Sequence, residues 1–139
     1  MSKLLLSIID DDEIYKFSFK RMISELDTIK CNIVEFSDGE EAIEFFKEKM
    51  TVDKELPDII FLDINMPYMD GFEFMEEYIL LKPKLQKKII IYMNSSSMND
   101  SDIERAKKLN EVTDYIVKPI EPYKLKNILI EQYNDFKNQ

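Results

Sequence analysis

The sequence predicts an α/β domain with a parallel sheet covered by helices on both faces. Two observations predict it. Short apolar runs recur along the chain, and each is followed by a stretch whose apolar residues fall at helical spacing. Most of these runs are continuous rather than alternating, as strands buried on both faces read. In addition, 139 residues with a 45% hydrophobic share suffice for one core of ordinary size and argue against disorder.

Leu4 to Ile9 reads as the first strand. Tyr15, Phe19, Met22, Ile23 and Leu26 then line one face of a helix. Cys31 to Phe36 is the second strand, and Ser37-Asp38-Gly39 supplies turn and cap chemistry. Ala42, Phe45, Phe46 and Met50 mark the second helix, and residues 51–56 a polar connection. Ile59 to Leu62 is the third strand, ending at Asp63, followed by the loop NMPYMDG. The third helix runs from Phe72 to Leu81 and stops around Pro83. Ile89 to Met93 is the fourth strand, with the polar run NSSSMNDSD after it. Ile103 to Leu109 is a short helix with a thin apolar face, and Tyr115 to Val117 the fifth strand, ending at Lys118-Pro119. Leu125, Ile128, Leu129, Tyr133 and Phe136 line a last helix. These five βα units predict a single domain over residues 1–139 with no output domain.

Lys and Arg number 19 against 28 Asp and Glu, a net charge of −9. This excess argues against a nucleic-acid reader, which would normally show a basic patch, and is compatible with a cation ligand or a partner with a basic surface. The one cysteine, Cys31, is read as a packing residue in a reducing compartment. The absence of histidine removes Ser-His-Asp triads, histidine metal sites and phosphohistidine within this chain. No signal peptide and no stretch of about 20 apolar residues is present, so the expected location is cytoplasmic, without membrane insertion.

In such sheets ligands sit beyond the carboxyl ends of the strands. The first strand ends in Asp10 and Asp11, the third in Asp63, the fourth in Ser95 and Ser96, and the fifth in Lys118. Three carboxylates at close range call for a shared proton or a cation. Mg²⁺ fits an all-oxygen site best, with Mn²⁺ or Ca²⁺ as substitutes, and zinc has no ligands here. Lys118 suits a phosphoryl oxygen. A carboxylate beside a hard cation, a lysine and a hydroxyl is what phosphoryl transfer to an aspartate needs, with Asp63 as nucleophile.

These residues carry a resemblance. The stretches "IIDDDEIY", "PDIIFLDINMPYMDGFEFM", "YMNSSS" and "DYIVKPI" resemble the motifs of response-regulator receiver domains of two-component signalling, over essentially the whole chain. The resemblance implies a doubly wound (βα)5 flavodoxin-like fold with strand order 2-1-3-4-5. It implies Asp63 as phosphoacceptor, Asp11 and Asp10 as Mg²⁺ ligands, and the backbone carbonyl of Asn65 as a further ligand. Ser95 and Lys118 would contact the phosphoryl group. Ser95 and Tyr115 would form the switch, and the Lys118-Pro119 peptide would be cis. A sensor histidine kinase or histidine phosphotransfer protein would be the donor. The signal would leave through an unnamed protein target, and any dimer would be weak and use the face of the fourth helix, fifth strand and fifth helix. Asn65 and Ser97 flank the place where the family tunes dephosphorylation. Asn94 departs from the pattern, since the family usually has an apolar residue there, and "KKLNEVTDY" lacks the common Gly-Ala.

Blander roles compete. Asp12 and Glu13 are read as helix N-terminal acids, Asp70-Gly71 as turn chemistry, and the eight methionines as core filler. Two other functions compete as well. One is a phosphorylation-independent binding module on the same fold. The other is a haloacid-dehalogenase-type phosphatase, whose Asp-x-Asp motif Asp10 and Asp12 satisfy formally but whose cap the chain lacks room for.

Overall fold

The computed structural model of the protein describes residues 3–27, 29–85, 87–96 and 99–137. Five strands alternate with five helices: β1 (Leu4–Ile9), α1 (Glu13–Ser24), β2 (Cys31–Phe36), α2 (Gly39–Lys49), β3 (Ile59–Asp63), α3 (Gly71–Leu81), β4 (Ile90–Ser95), α4 (Asp100–Lys107), β5 (Val112–Val117) and α5 (Pro122–Lys137). The strands form one parallel sheet of order β2-β1-β3-β4-β5, as expected.

Alternation along the central strands divides the core. Ile60, Leu62, Ile91 and Met93 face a cluster completed by Phe46, Phe74, Met75 and Tyr78 from α2 and α3. Ile59, Phe61 and Tyr92 face the other cluster, with Phe19 and Ile23 from α1 and Leu125 and Leu129 from α5. Burial on both faces is why these strands read as continuous apolar runs.

Short side chains start the helices. Asp12 caps α1 by accepting from the backbone N–H groups of Ile14 and Tyr15, and Asp38 caps α2. Asp70 caps α3 in a reciprocal capping box with Glu73. Asp12 and Glu13 keep their helix N-terminal roles, while Asp70, read as a turn residue, is the cap of α3 and Gly71 its first residue. Asp12 is spent on the cap, and Glu13 pairs with the buried Lys16 at 2.9 Å.

Some boundaries move. The connection over 51–56 contains a 3-10 turn, and Pro83 lies in a second one directly after α3. β4 begins one residue later than expected and continues through Asn94 and Ser95, both buried. α4 begins at Asp100, with Asn99 as its cap, and ends at Lys107. β5 begins at Val112, and its pairing with β4 shifts register between Ile91 and Tyr92. Polar residues at strand ends and on an edge strand hide these extensions from a reading based on apolar runs.

Candidate functional site

Strand register assembles the site. Ile9 lies beside Leu62, so the next residues, Asp10 and Asp63, emerge together where the strand order reverses. Asp63 pairs with Asn94, and Ser95 with Val117, which brings Lys118 to the same edge. The Lys118 N–H donates to the Ser95 carbonyl at 2.9 Å and extends that ladder by one residue. The Lys118-Pro119 peptide is cis.

Carboxylate oxygens of Asp10, Asp11 and Asp63 lie within 4.8 Å of one another. Asp10 and Asp63 are buried and Asp11 is exposed. Lys118 Nζ stands 2.6 Å from Asp10 Oδ2 and 3.6 Å from Asp63 Oδ1. The Asp10 contact is ionic, because Oδ2 receives no hydrogen bond of good geometry from the described residues. Asp10 Oδ1 accepts from the backbone N–H of Asp12 at 2.9 Å. Three carboxylates thus cluster with one ammonium that faces two of them, and the site carries excess negative charge in a half-desolvated place. An all-oxygen donor set of this kind fits a hard divalent cation.

Burial raises the Asp63 carboxyl from 3.8 to about 6. Asp10 and Asp11 push the same way, while Lys118 and the Asn65 backbone N–H oppose them. Asp63 is therefore mostly ionised at neutral pH, and at a cost. In the unfolded chain it ionises near 3.8, so its contribution to stability is full below that value and is lost as pH rises through about 6. Asp63→Asn removes the penalty. Without divalent cation, the variant is expected to melt a few degrees above the parent at pH 7.5, with the gap closing towards pH 4. Thermal melts across that range check this.

Comparison with known proteins agrees with this geometry. The family model described as response regulator receiver domain matches residues 6–130. The chain belongs to this family. The chemotaxis protein CheY of Thermotoga maritima is 29% identical over 115 residues, covering 83% of this chain and 85% of CheY. The probable transcriptional regulator ycf27 of Porphyridium aerugineum is 30% identical over 126 residues, 90% of this chain. The match spans 46% of ycf27, and the chain covers about half or less of several such regulators. A two-component response regulator from Cytophaga hutchinsonii superposes with a TM-score of 0.76 at 30% identity, covering 99% of this chain and all of that one. Receiver domains are phosphoacceptor signalling domains rather than conventional enzymes. No helix among the described residues is long and apolar enough to cross a membrane.

The remaining receiver residues named from the sequence lie around the same edge. Ser95 is buried, and its Oγ accepts from Asn65 Nδ2 at 3.4 Å. Tyr115 is buried against the α2/α3 side of the core. Burial raises its hydroxyl pKa, and a hydrogen bond with Ser95 works the other way. Ser97 lies outside the described residues.

Two features escaped the sequence reading. The first is how tightly Gly71 closes the loop after Asp63. Its N–H donates to the Ile64 carbonyl at 2.8 Å, and a Cβ there would fall 2.4 Å from the Asp63 carbonyl oxygen. Gly71→Ala is expected to cost about 2–3 kcal/mol in urea unfolding, because backbone must move. The second is Tyr15, read from its spacing as a helix-face residue. Lys118 Nζ lies 4.2 Å from its ring centroid, and Asn94 Nδ2 donates to its hydroxyl at 2.9 Å. Burial and the charges of Asp10 and Asp63 raise the Tyr15 pKa, so it stays a phenol. The polar residue at position 94, out of place at a buried strand end, was the available signal.

Proposed function

We propose that this receiver domain accepts a phosphoryl group on Asp63 from a sensor histidine kinase or histidine phosphotransfer protein, in a Mg²⁺-dependent reaction in the cytoplasm. The observation that carries the reading is the cluster of Asp10, Asp11 and Asp63, with the Lys118 ammonium against two of them, Asp10 and Asp63. Asp10, Asp11, Asp63 and the Asn65 carbonyl would hold the Mg²⁺. When bound, that ion neutralises charge on the phosphoryl oxygens.

The chain's own residues do the rest. An ionised Asp63 oxygen forms the new O–P bond, and the bond from phosphorus to the donor nitrogen breaks with its electron pair staying on nitrogen. The product is an acyl phosphate. Lys118, already 3.6 Å from Asp63, exchanges its carboxylate contacts for a phosphoryl oxygen. The Ser95 hydroxyl donates to another oxygen and so changes its relation to Tyr115. That change reaches α4, which fully buries only Ala106 and is thus held by little core. The altered α4, β5 and α5 face then contacts a target protein or a second copy. Hydrolysis of the acyl phosphate by water resets Asp63, so the only reactions the chain promotes are on itself.

Incubation with phosphoramidate, followed by intact mass, tests this. A gain of one phosphoryl group that requires Mg²⁺ is the expected result. No gain with any donor, alongside normal folding, favours the phosphorylation-independent binding module.

A further inference from the structure

Lys118 has a long, flexible side chain, and a phosphoryl-transfer site needs its charge held in one place. The two carboxylates that face it are also the groups a cation would occupy, so they are poor fixed anchors. Tyr15 is a different kind of neighbour. Its ring comes from α1, and the Lys118 ammonium lies 4.2 Å from the ring centroid, within cation–π range. The ring is itself fixed. Its hydroxyl accepts from Asn94 Nδ2 at 2.9 Å, and Asn94 is 1% exposed on β4 beside Asp63. The ring also meets Phe19 at a centroid distance of 6.3 Å. Among the described residues Asn94 Oδ1 has no hydrogen-bond partner, and the Tyr15 hydroxyl is the partner of its Nδ2.

We propose that Tyr15, through its ring, is a positioning residue for Lys118 in phosphoryl transfer to Asp63. The ring confines the ammonium to the arc between Asp10 and Asp63. It attracts the charge without competing for it as a carboxylate would. When a phosphoryl group arrives, Lys118 swings by a short distance instead of searching solvent. This assignment rests on Asp63 being the phosphoacceptor.

The test compares the parent, Tyr15→Leu, and the double variant Tyr15→Phe with Asn94→Leu. The double variant keeps the ring and removes both polar partners together, leaving no orphaned amide. Two readouts are taken on folded protein at fixed Mg²⁺: the initial rate of labelling by phosphoramidate, and the proton shifts of the Lys118 methylene next to the ammonium. A ring at this distance shifts those protons upfield. In Tyr15→Leu the upfield shift is expected to vanish, and labelling to slow about tenfold, between the sizes of an exposed and a desolvated cation–π contact. The double variant is expected to keep the shift and to label within about threefold of the parent. Parental labelling rates in Tyr15→Leu overturn the role of Tyr15 and leave Asp63 untouched. Loss of the shift and rate in both variants alike also overturns it, since the ring would then not be the operative group. A parent that never labels overturns the phosphoacceptor reading, and this assignment with it.

Discussion

Asp63→Asn abolishes labelling by acetyl phosphate and phosphoramidate. The amide has almost the shape of the carboxyl but no anionic oxygen to form the O–P bond. The variant folds, and by the pH argument it is the more stable form at neutral pH. Failure to label therefore reports lost chemistry, not lost structure. The neighbouring acids do not take over. Asp10 is fully buried, with Oδ1 on the Asp12 N–H and Oδ2 against Lys118. Asp11 is exposed, and Lys118 stands against Asp10 and Asp63 instead. Intact mass of parent and variant side by side reads the effect. Full-stoichiometry labelling of the variant contradicts the assignment of Asp63.

Lys118→Ala has two effects of opposite sign. Without the ammonium, Asp10 and Asp63 face each other buried and uncompensated. Breaking a buried pair in this way costs about 3–5 kcal/mol in metal-free protein. The same loss removes the charge that repels a cation from the carboxylates, so Mg²⁺ binds about tenfold more tightly. Labelling nonetheless falls, because the metal cannot replace a donor aimed at the transferred group. Urea unfolding with and without Mg²⁺, combined with a Mg²⁺ titration, separates these effects. A variant with weakened Mg²⁺ binding contradicts the view that Lys118 and the cation compete for the same oxygens.

Most of the architecture was legible because the central strands are buried on both faces and so read as plain apolar runs. Leu4–Ile9 and Cys31–Phe36 match their expected bounds. The three chemical ends, Asp10-Asp11, Asp63 and Lys118, were legible because strand ends in a parallel sheet share one edge. The end of β4 was not, because Asn94 and Ser95 are polar yet buried, and only tertiary partners explain them. The start of β5 was hidden by Thr113 and Asp114, exposed residues on an edge strand. Tyr15 satisfied helical periodicity so well that its spacing concealed its place beside Lys118. Periodicity tells which way a side chain points, and it is silent about which residue from another strand it meets.

The central claim is that Asp63 is the acceptor, and the most direct measurement locates the modification. Protein treated with phosphoramidate and Mg²⁺ is reduced with borohydride, which converts an aspartyl phosphate to homoserine, and is then digested for peptide mass spectrometry. Conversion at position 63 alone is the predicted result. Conversion at Asp10, Asp11 or Asp12 instead, with Asp63 intact, would contradict the account.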